Sequence, residues 1–482
     1  MFDLRPVGYV TGLLIAALGA TMLLPMAADL VYGSGHWLIF LESAFLTVVC
    51  GVSLALACAN SVRDRLTIQQ TFLLTSGVWL ILPVFGAIPF VLEQPGVRAV
   101  DAFFEAMSGL TTTGATVFDD LDTRAKGTLL WRSMLQWFGG IGIIVVAMVF
   151  LPELRVGGMQ IFRSEAFDTG GKVLPRAAEI ASRISVVYVG LTLANVLAYL
   201  ATGMNGFEAL NHALTTISTG GFSTYNASFG AFQGPAEYVA AVFMILASLP
   251  FVRYVQILAG TARPLWRDAQ VRTYLAIIAV LVAVMTAYRV AANGDPAEHA
   301  FREGIFNLTS IISGTGYSSV DYQLWGAFPV VAFFFVGLIG GCAGSTACSV
   351  KVFRYQLLFA SIRAQIGRIH APHGIFTPRY DGRPVGQDVL NSVMSFFVAF
   401  IVLLGVTSVL LGLTGLDTIT SVSGAASALG NIGPGLGDTI GPAGNFKSLP
   451  DSAKWILSFA MLVGRLEVMA VLVIFSAKFW RG

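Results

Sequence analysis

The sequence has little charge. Asp, Glu, Lys and Arg make up only 12% of its 482 residues, about half the share in an average soluble domain, whereas 55% of the residues are hydrophobic. The mean hydropathy is +0.75. Cysteines are few, at positions 50, 58, 342 and 348, and no two of them form a CxxC pair. These absences exclude an ordinary soluble domain and argue against a disulfide framework or a thiolate metal site.

Catalytic motifs are missing as well. The chain contains no HExxH zinc motif, no GxxxxGK[ST] phosphate loop and no visible Ser/His/Asp arrangement. His370 and His373 lie near each other in one loop, but without a third ligand we expect them to be solvated. The sequence therefore predicts neither an enzyme nor a covalent cofactor.

Long apolar runs are what the sequence has instead. A run of about 20 apolar residues spans the hydrocarbon of a bilayer as a helix. We expect the first run to be a retained helix, because MFDLRPVGYV is followed by no small-residue cleavage site. The ten predicted spans are 8–32, 37–59, 71–92, 129–151, 183–203, 237–260, 274–292, 327–347, 389–413 and 455–479.

Lys and Arg are distributed unevenly between the loops. Most lie at the termini and in the loops after even-numbered spans, so the positive-inside rule predicts that both termini are cytoplasmic. We expect the basic loops to face anionic lipid headgroups or an acidic cytosolic partner, and not nucleic acid, because membrane spans flank them. Eight basic residues from two of these loops form the face that we expect to dock such a partner: Arg155, Arg163, Lys172, Arg176, Arg363, Arg368, Arg379 and Arg383.

Four short glycine segments recur between the runs: LTTTGAT (110–116), TISTGGF (216–222), ISGTGYS (312–318) and LGNIGPG (429–435). Glycine frees the backbone to turn its carbonyls in directions that a Cβ would obstruct. Four such loops around one axis would form rings of carbonyl oxygens, which can replace the hydration shell of a cation. The glycines that we align in one column, at separations of 106, 96 and 117 residues, are Gly114, Gly220, Gly316 and Gly433.

A half-helix too short to span a bilayer is predicted before each glycine segment, at 100–111, 205–217, 298–312 and 416–429. Irregular backbone at membrane depth is tolerated only when it is buried in protein or lines a watery cavity. Each half-helix carries an acid that we expect early in it, namely Glu105, Glu208, Glu303 or Asp417. The negative end of each dipole would then point at the glycine segment and favour a cation. A transporter with inverted repeats and broken helices is the alternative, but it would usually have two repeats.

With these residues in view, the sequence resembles the Trk/Ktr/HKT superfamily of potassium transporters, and most closely the bacterial Trk-type (TrkH) membrane subunits. The resemblance rests on TTTGATVF, WRSMLQWFGGIGIIV (131–145), ISTGGFST, GGCAGSTACSVKVFR (340–354), GNIGPG and MLVGRLEV (461–468). It implies an all-α polytopic membrane protein with four membrane-helix/pore-loop/membrane-helix repeats around a pseudo-fourfold pore, plus two extra N-terminal helices. We expect an N-terminal unit at 1–66 and repeats at 67–155, 156–262, 263–370 and 371–482.

The resemblance also implies a selectivity filter. In the family, glycine in all four aligned positions goes with potassium, whereas some plant relatives have serine in the first position and favour sodium. K⁺ is the only bound metal ion that we expect. The predicted potassium-binding residues are Thr111, Thr112, Thr113, Gly114, Ile217, Ser218, Thr219, Gly220, Ser313, Gly314, Thr315, Gly316, Gly430, Asn431, Ile432 and Gly433.

The eighth run predicts a gate, because it contains more glycine than a stable helix tolerates. A family resemblance places an intramembrane gating loop here, at Gly340, Gly341, Cys342, Ala343, Gly344, Ser345 and Thr346. Arg465 lies well inside the last run, where a charge is costly. Glu467 is a poor partner for it, because residues two apart on a helix point to different sides. By resemblance, Arg465 is a cationic barrier beside the gate.

The predicted function is potassium uptake across the bacterial inner membrane, with a proton- or sodium-coupled potassium symporter as the alternative. The resemblance further implies a homodimer that docks a cytosolic TrkA-like nucleotide-binding ring, with the nucleotide bound only by that ring.

Overall fold

Helices account for nearly all the regular structure of this computed structural model, which describes residues 3–61, 66–93, 97–147, 157–162 and 173–481. Within those residues the only sheet is a two-stranded antiparallel hairpin of β1 (Arg379–Tyr380) and β2 (Arg383–Pro384). Short 3₁₀ turns cover Ala59–Ser61, Met159–Phe162, Ser228–Phe232 and Tyr322–Trp325.

The N-terminal unit is a pair of membrane-length helices that touch along small residues. It consists of α1 (Arg5–Thr21), continued by α2 (Leu23–Tyr32), and α3 (Trp37–Cys58). A Cβ on Gly12 would lie 2.6 Å from the backbone nitrogen of Ala55, and one on Gly51 would lie closer still to that of Ala16. Small residues at such crossings let membrane helices pack with their backbones almost in contact.

Four repeats follow, each with the order long helix, short helix, glycine segment and a second, often broken, helix. The first two contain α4 (Ile68–Gly86), α5 (Ile88–Glu93), α6 (Ala99–Leu110) and α7 (Lys126–Val145), then α8 (Val173–Ala201), α9 (Gly206–Ile217), α10 (Pro235–Ala247) and α11 (Phe251–Leu258).

The third repeat contains α12 (Arg263–Arg267), α13 (Ala269–Tyr288) with a π-helical end at Arg289–Asn293, α14 (Ala297–Ser313), α15 (Ala327–Gly337) and α16 (Val352–His370). The fourth contains α17 (Gln387–Leu413), α18 (Thr418–Gly430), α19 (Gly437–Ile440), α20 (Asp451–Arg465), α21 (Met469–Ile474) and α22 (Ala477–Arg481). The four short helices α6, α9, α14 and α18 are the predicted half-helices, each within two residues of its expected bounds, and we call them half-helices 1 to 4.

Three of the ten predicted spans are broken, which was expected for 327–347 and corrects the sequence analysis for 237–260 and 455–479. Six helices of the described residues are long and apolar enough to cross a membrane by themselves. The run at 237–260 bends by 88° between α10 and α11, at a break that contains Pro250, which has no backbone amide to donate. The run at 327–347 is helical only to Gly337, and the run at 455–479 breaks after Arg465. The end of the predicted span 129–151 lies outside the described residues.

Candidate functional site: a ring of glycine segments

The four half-helices end in the same way. Each closes with a residue in the left-handed region, namely Thr112, Thr219, Gly314 or Asn431. The amide of the following residue then reaches back five residues, in the 6→1 hydrogen bond of a Schellman motif. These bonds join Thr113 to Ser108 (2.9 Å), Gly220 to Thr215 (2.8 Å), Thr315 to Ser310 (2.9 Å) and Ile432 to Ser427 (3.0 Å). The shared ending gives the four segments one structural register.

That register corrects the predicted alignment of the second segment by one residue. Gly114, Gly316 and Gly433 follow the Schellman bond directly, at φ +85°, +81° and +108°. In the second segment the residue at this place is Gly221, at φ +78°, and not Gly220. Ile217 accordingly belongs to the end of half-helix 2. The error arose because two glycines are adjacent there and either one could be aligned with the others.

The sequence did hold a signal for the correct register. A hydroxyl residue stands six positions before the column glycine in all four repeats only if that glycine is Gly221. With Gly220, the second repeat would place Leu214 in this column instead. The four hydroxyl residues are Ser108, Thr215, Ser310 and Ser427.

The four column glycines close a ring around one axis. A Cβ on each would lie under 3.0 Å from a carbonyl oxygen of the next segment, closer than real Cβ atoms come. The contacts run Gly114 to Gly220 O, Gly221 to Thr315 O, Gly316 to Ile432 O and Gly433 to Thr113 O. The fourth segment thus returns to the first. At all four places glycine is required both by its left-handed backbone and by the neighbouring carbonyl.

A cavity opens on one side of this ring. Its lining includes all four column glycines together with polar groups of the loops that follow the segments, such as Ser223 and Ser318. Arg132, also in its wall, forms a buried ion pair with Glu105 of half-helix 1 at 2.8 Å. The Arg132 guanidinium also donates to Ser223 O at 2.9 Å. The first repeat therefore holds the stretch of chain that follows the second glycine segment.

Polar side chains of each half-helix form hydrogen bonds with the stretch of chain that follows its glycine segment. Buried peptide groups of irregular backbone need such partners, because an unsatisfied one costs about 1–3 kcal/mol. The bonds are Val117 N to Glu105 Oε2 (2.9 Å), Ser319 N to Asn307 Oδ1 (3.2 Å), Leu436 N to Ser423 Oγ (2.9 Å) and, between side chains, His212 Nε2 with Ser223 Oγ (3.1 Å).

The expected early acids hold for only two of the half-helices. Asp417 caps half-helix 4 by accepting from Thr420 N at 2.7 Å, and Glu208 completes a capping box with Asn205. Glu105 and Glu303 lie instead near the middle of their half-helices and pair with arginines, Glu303 with Arg289 at 2.7 Å. Those two carboxylates form buried ion pairs in the middle of their half-helices, so they do not offset the positive N-terminal end of the dipole as expected.

The predicted gating loop is unwound, as expected, between α15 and α16. We call Gly340–Ser349 the intramembrane loop. Its backbone docks on the break between α10 and α11: Cys342 N donates to Ser248 O (3.0 Å), Thr346 N to Ala247 O (3.3 Å) and Phe251 N to Gly344 O (2.9 Å). Ala343 N also donates to the side chain of Gln270 at 2.9 Å. Two irregular stretches therefore satisfy each other's backbone at membrane depth.

The intramembrane loop lies against the end of the ring that is opposite the cavity. Cys348 is 3.6 Å, at its Cβ, from where a Cβ of Gly314 would be, and its thiol is 3.9 Å from the Thr112 hydroxyl. Cys348 lies just beyond the predicted gate residues 340–346. Ser349 Oγ is likewise 3.6 Å from where a Cβ of Gly430 would be, so the C-terminal end of the loop meets the glycine segments.

Arg465 binds this loop. The residue is 3% exposed, and its guanidinium donates to Thr346 O (3.3 Å), to the Cys348 thiol and to Gly139 O (3.1 Å). Glu467 is not its partner, as predicted, because the carboxylate accepts from Lys351 Nζ at 2.8 Å and from Arg354. The buried positive charge is thus held by carbonyl and sulfur acceptors of the loop and α7.

Comparison with known proteins identifies the family. The TrkH family model, described as cation transport protein, matches residues 38–481. The chain belongs to the TrkH family. It is 42% identical over 414 residues to the Trk system potassium uptake protein TrkI of Halomonas elongata, covering 86% of this chain and 84% of the relative. It is 35% identical to TrkH of Salmonella typhimurium, over 99% of both chains.

A solved structure supports the same assignment. The crystal structure of the potassium transporter TrkH from Vibrio parahaemolyticus matches all of both chains with a TM-score of 0.92 and 33% identity. The predicted fold class is therefore confirmed: this TrkH-family chain is a polytopic helical membrane protein built from four repeats and an N-terminal helix pair.

The basic face expected on this TrkH-family chain is only partly described. Arg363 and Arg368 are exposed on α16, and Arg379 and Arg383 are exposed on the hairpin that follows. Arg155, Arg163 and Lys172, and the side chain of Arg176, lie outside the described residues. No group of three or more His, Cys, Asp or Glu residues that could hold a metal ion occurs in the described ranges.

Proposed function

We propose that this protein takes up potassium through the ring formed by its four glycine segments. The observation that carries the proposal is the closed cycle of contacts from Gly114, Gly221, Gly316 and Gly433 to the carbonyls of the next segment. Carbonyls arranged around one axis can substitute for the water shell of a cation, and their number and field strength select among ions. The filter would then comprise Thr111–Gly114, Ser218–Gly221, Ser313–Gly316 and Gly430–Gly433.

Three further observations support the proposal, two of them for potassium and the third for a cation in general. The relatives at 42% and 35% identity are named potassium uptake proteins. Glycine occupies all four column positions, the pattern that goes with potassium in the wider superfamily. The C-terminal, negative ends of all four half-helix dipoles meet at the ring, which favours a cation there over an anion.

The intramembrane loop is proposed as the gate, with Arg465 as its latch. The loop contacts the glycine segments at Thr112 and Gly314, and the bonds of Arg465 to Thr346 O and the Cys348 thiol hold it there. The same guanidinium is a cationic barrier while the loop is shut. Breaking these bonds and moving the loop would open the path for the ion.

Regulation and location follow from the same proposal. The protein would lie in the bacterial inner membrane with both termini cytoplasmic, form a homodimer, and dock a TrkA-like nucleotide-binding ring on its basic face. The support is the exposed cluster of Arg363, Arg368, Arg379 and Arg383 on one short stretch of the chain. K⁺ would be the transported ion, and nucleotide would bind only to the docked ring.

Reversal potentials of the purified protein in planar bilayers test this function. Under opposing K⁺ and Na⁺ gradients, we expect the reversal potential to follow the K⁺ equilibrium potential and to be unmoved by a pH gradient. A reversal potential that shifts with the pH or the Na⁺ gradient would support the coupled-symporter alternative. A current without preference for K⁺ would overturn the proposal.

A further inference from the structure

We propose that Gln136 is a specificity-determining positioning residue, which holds one carbonyl of the glycine ring in place. The inference rests on the proposed function of that ring. Gln136 lies on α7 of the first repeat, is fully buried, and reaches across to the second glycine segment. Its Nε2 donates to Gly220 O at 2.5 Å, and its Oε1 accepts from Phe222 N at 3.0 Å. The second bond fixes which end of the amide faces Gly220.

The bonded oxygen is a member of the ring. Gly220 O is the carbonyl that meets Gly114, just as Thr315 O, Ile432 O and Thr113 O meet the other column glycines. In the described part of the chain, those other three oxygens accept no hydrogen bond from a protein group. Gly220 O is therefore distinct within the ring, because a protein amide fixes its direction and shares its lone pairs.

The extra glycine of the second segment fits this side chain. Thr113, Thr315 and Ile432 occupy the position just before the column glycine in the other segments, where the second has Gly220. Gly220 is absent from the positive-φ residues, so its backbone conformation does not demand glycine. A Cβ there would instead lie under 3.0 Å from the Gln136 side chain. Gln136 thus takes the space that a side chain fills in the other three segments.

The Gln136 bonds restrict the backbone freedom of the second segment. Two consecutive glycines have more backbone freedom than any other residue pair, so the Gly220 carbonyl would otherwise be the least constrained of the four. The Gln136 amide clamps the segment on both sides of Gly221, at Gly220 O and at Phe222 N. A ring with one loose carbonyl would adapt more easily to a smaller cation, so the clamp contributes to discrimination of K⁺ from Na⁺.

The test compares K⁺/Na⁺ permeability ratios of purified Gln136→Met and Gln136→Glu with the wild type in bilayers. Methionine keeps the approximate volume without either bond, and an ionised glutamate still accepts from Phe222 N but cannot donate to Gly220 O. Because one hydrogen bond contributes about 0.5–1.5 kcal/mol, we expect the ratio to fall about 2- to 10-fold in both. Ser133→Ala is the matched control. Ser133 lies on the same helix and bonds Asn211 of half-helix 2 without touching the ring.

A double-mutant cycle guards against simple misfolding. Gly220→Ala alone should lower the ratio because its Cβ would collide with Gln136, and Gly220→Ala combined with Gln136→Ala should recover part of that loss.

If the wild type selects K⁺ while both Gln136 variants keep the wild-type permeability ratio, the inference is wrong and the proposed filter stands. If the wild type shows no preference, the proposed function fails first. A drop of the ratio in Ser133→Ala equal to that of Gln136→Met would also overturn the inference.

Discussion

Gly221 and Thr315 are in contact across two repeats: a Cβ on Gly221 would lie under 3.0 Å from the Thr315 carbonyl oxygen. The same relationship joins Gly114 to Gly220. Gly114 and Gly221 therefore cannot be replaced by a residue with a side chain without strain. The left-handed backbone disfavours a Cβ, and the neighbouring ring carbonyl would have to move.

Serine at Gly114 or Gly221 should therefore weaken K⁺/Na⁺ discrimination. We expect the permeability ratio to drop roughly tenfold or more, since a displaced ring carbonyl and a strained backbone together exceed about 1.4 kcal/mol. Bilayer reversal potentials under bi-ionic conditions measure it. Gly203→Ser is the matched control: Gly203 has φ +97° but no atom near its would-be Cβ, so the backbone strain is similar and the ring is untouched. Unchanged ratios in both ring variants would rule out this column as the filter.

Arg465→Ala should raise K⁺ flux in the absence of the cytosolic partner, and shortening the intramembrane loop should act in the same direction. The alanine variant removes the bonds to Thr346 O and Cys348 and the positive charge together. Arg465→Lys keeps the charge but not the forked geometry, and we expect flux between those of the wild type and the alanine variant.

Rubidium uptake into proteoliposomes gives the rate, and reversal potentials give the selectivity. K⁺ should stay preferred over Na⁺ in all the gate variants, because neither Arg465 nor the loop is among the groups nearest to the four column glycines. If Arg465→Ala folds normally and leaves the flux unchanged, Arg465 has only a structural role, and the proposal that it holds the gate shut is wrong.

Charge reversal on the exposed basic face should impair docking of the proposed regulatory ring. Glutamate in place of Arg363, Arg368, Arg379 and Arg383 replaces attraction to an acidic partner with repulsion. We expect the affinity for the partner to fall at least tenfold at low salt, as measured by pull-down or biolayer interferometry. The K⁺/Na⁺ ratio of the isolated protein should not change. Nucleotide sensitivity of the isolated protein would contradict the docking proposal.

Asp417→Ala should destabilise half-helix 4. The carboxylate accepts from Thr420 N and from the Thr420 hydroxyl, each at 2.7 Å, and these bonds lower the pKa of Asp417. Loss of such a cap costs about 0.5–2 kcal/mol. Asp417→Asn should remain close to the wild type in thermal unfolding in detergent, because asparagine caps equally well. An equal loss in both variants would show that charge, and not capping, is what matters.

The pH dependence has a definite sign. Because folding lowers the pKa of Asp417, its stabilising contribution is complete above the unfolded pKa of about 3.9 and is lost as the pH falls through the folded value. The difference between wild type and Asp417→Ala should thus be constant from pH 7 to 5 and shrink only in stronger acid. A difference that already disappears near pH 6 would contradict this assignment.

The sequence predicted the features that depend on local pattern. The half-helices and their order were correct because short amphipathic stretches before glycine-rich turns are visible in any single repeat. The register of the second segment was wrong because Gly220 and Gly221 are adjacent, and only comparison of the hydroxyl column separates them. The bend near Pro250 was missed because one proline inside an otherwise continuous apolar run is a weak local signal.

The long-range partners could not be predicted. In the sequence, Gln136 is one polar residue of an amphipathic helix, and no local pattern predicts its bond to a glycine 84 positions later. The acceptors of Arg465 are likewise carbonyls and a thiol of a loop more than a hundred residues earlier. Such contacts exist only after the four repeats have closed around their axis.

If the intramembrane loop is the gate, as proposed, its docking on the bend between α10 and α11 would make opening a hydration event. When the loop leaves, Ala247 O, Ser248 O and the amide of Phe251 lose their partners at membrane depth. A dry open state would leave each of them unsatisfied, at about 1–3 kcal/mol apiece. Water must therefore enter as the loop moves, so osmolytes too large to enter the widened passage should favour the closed protein.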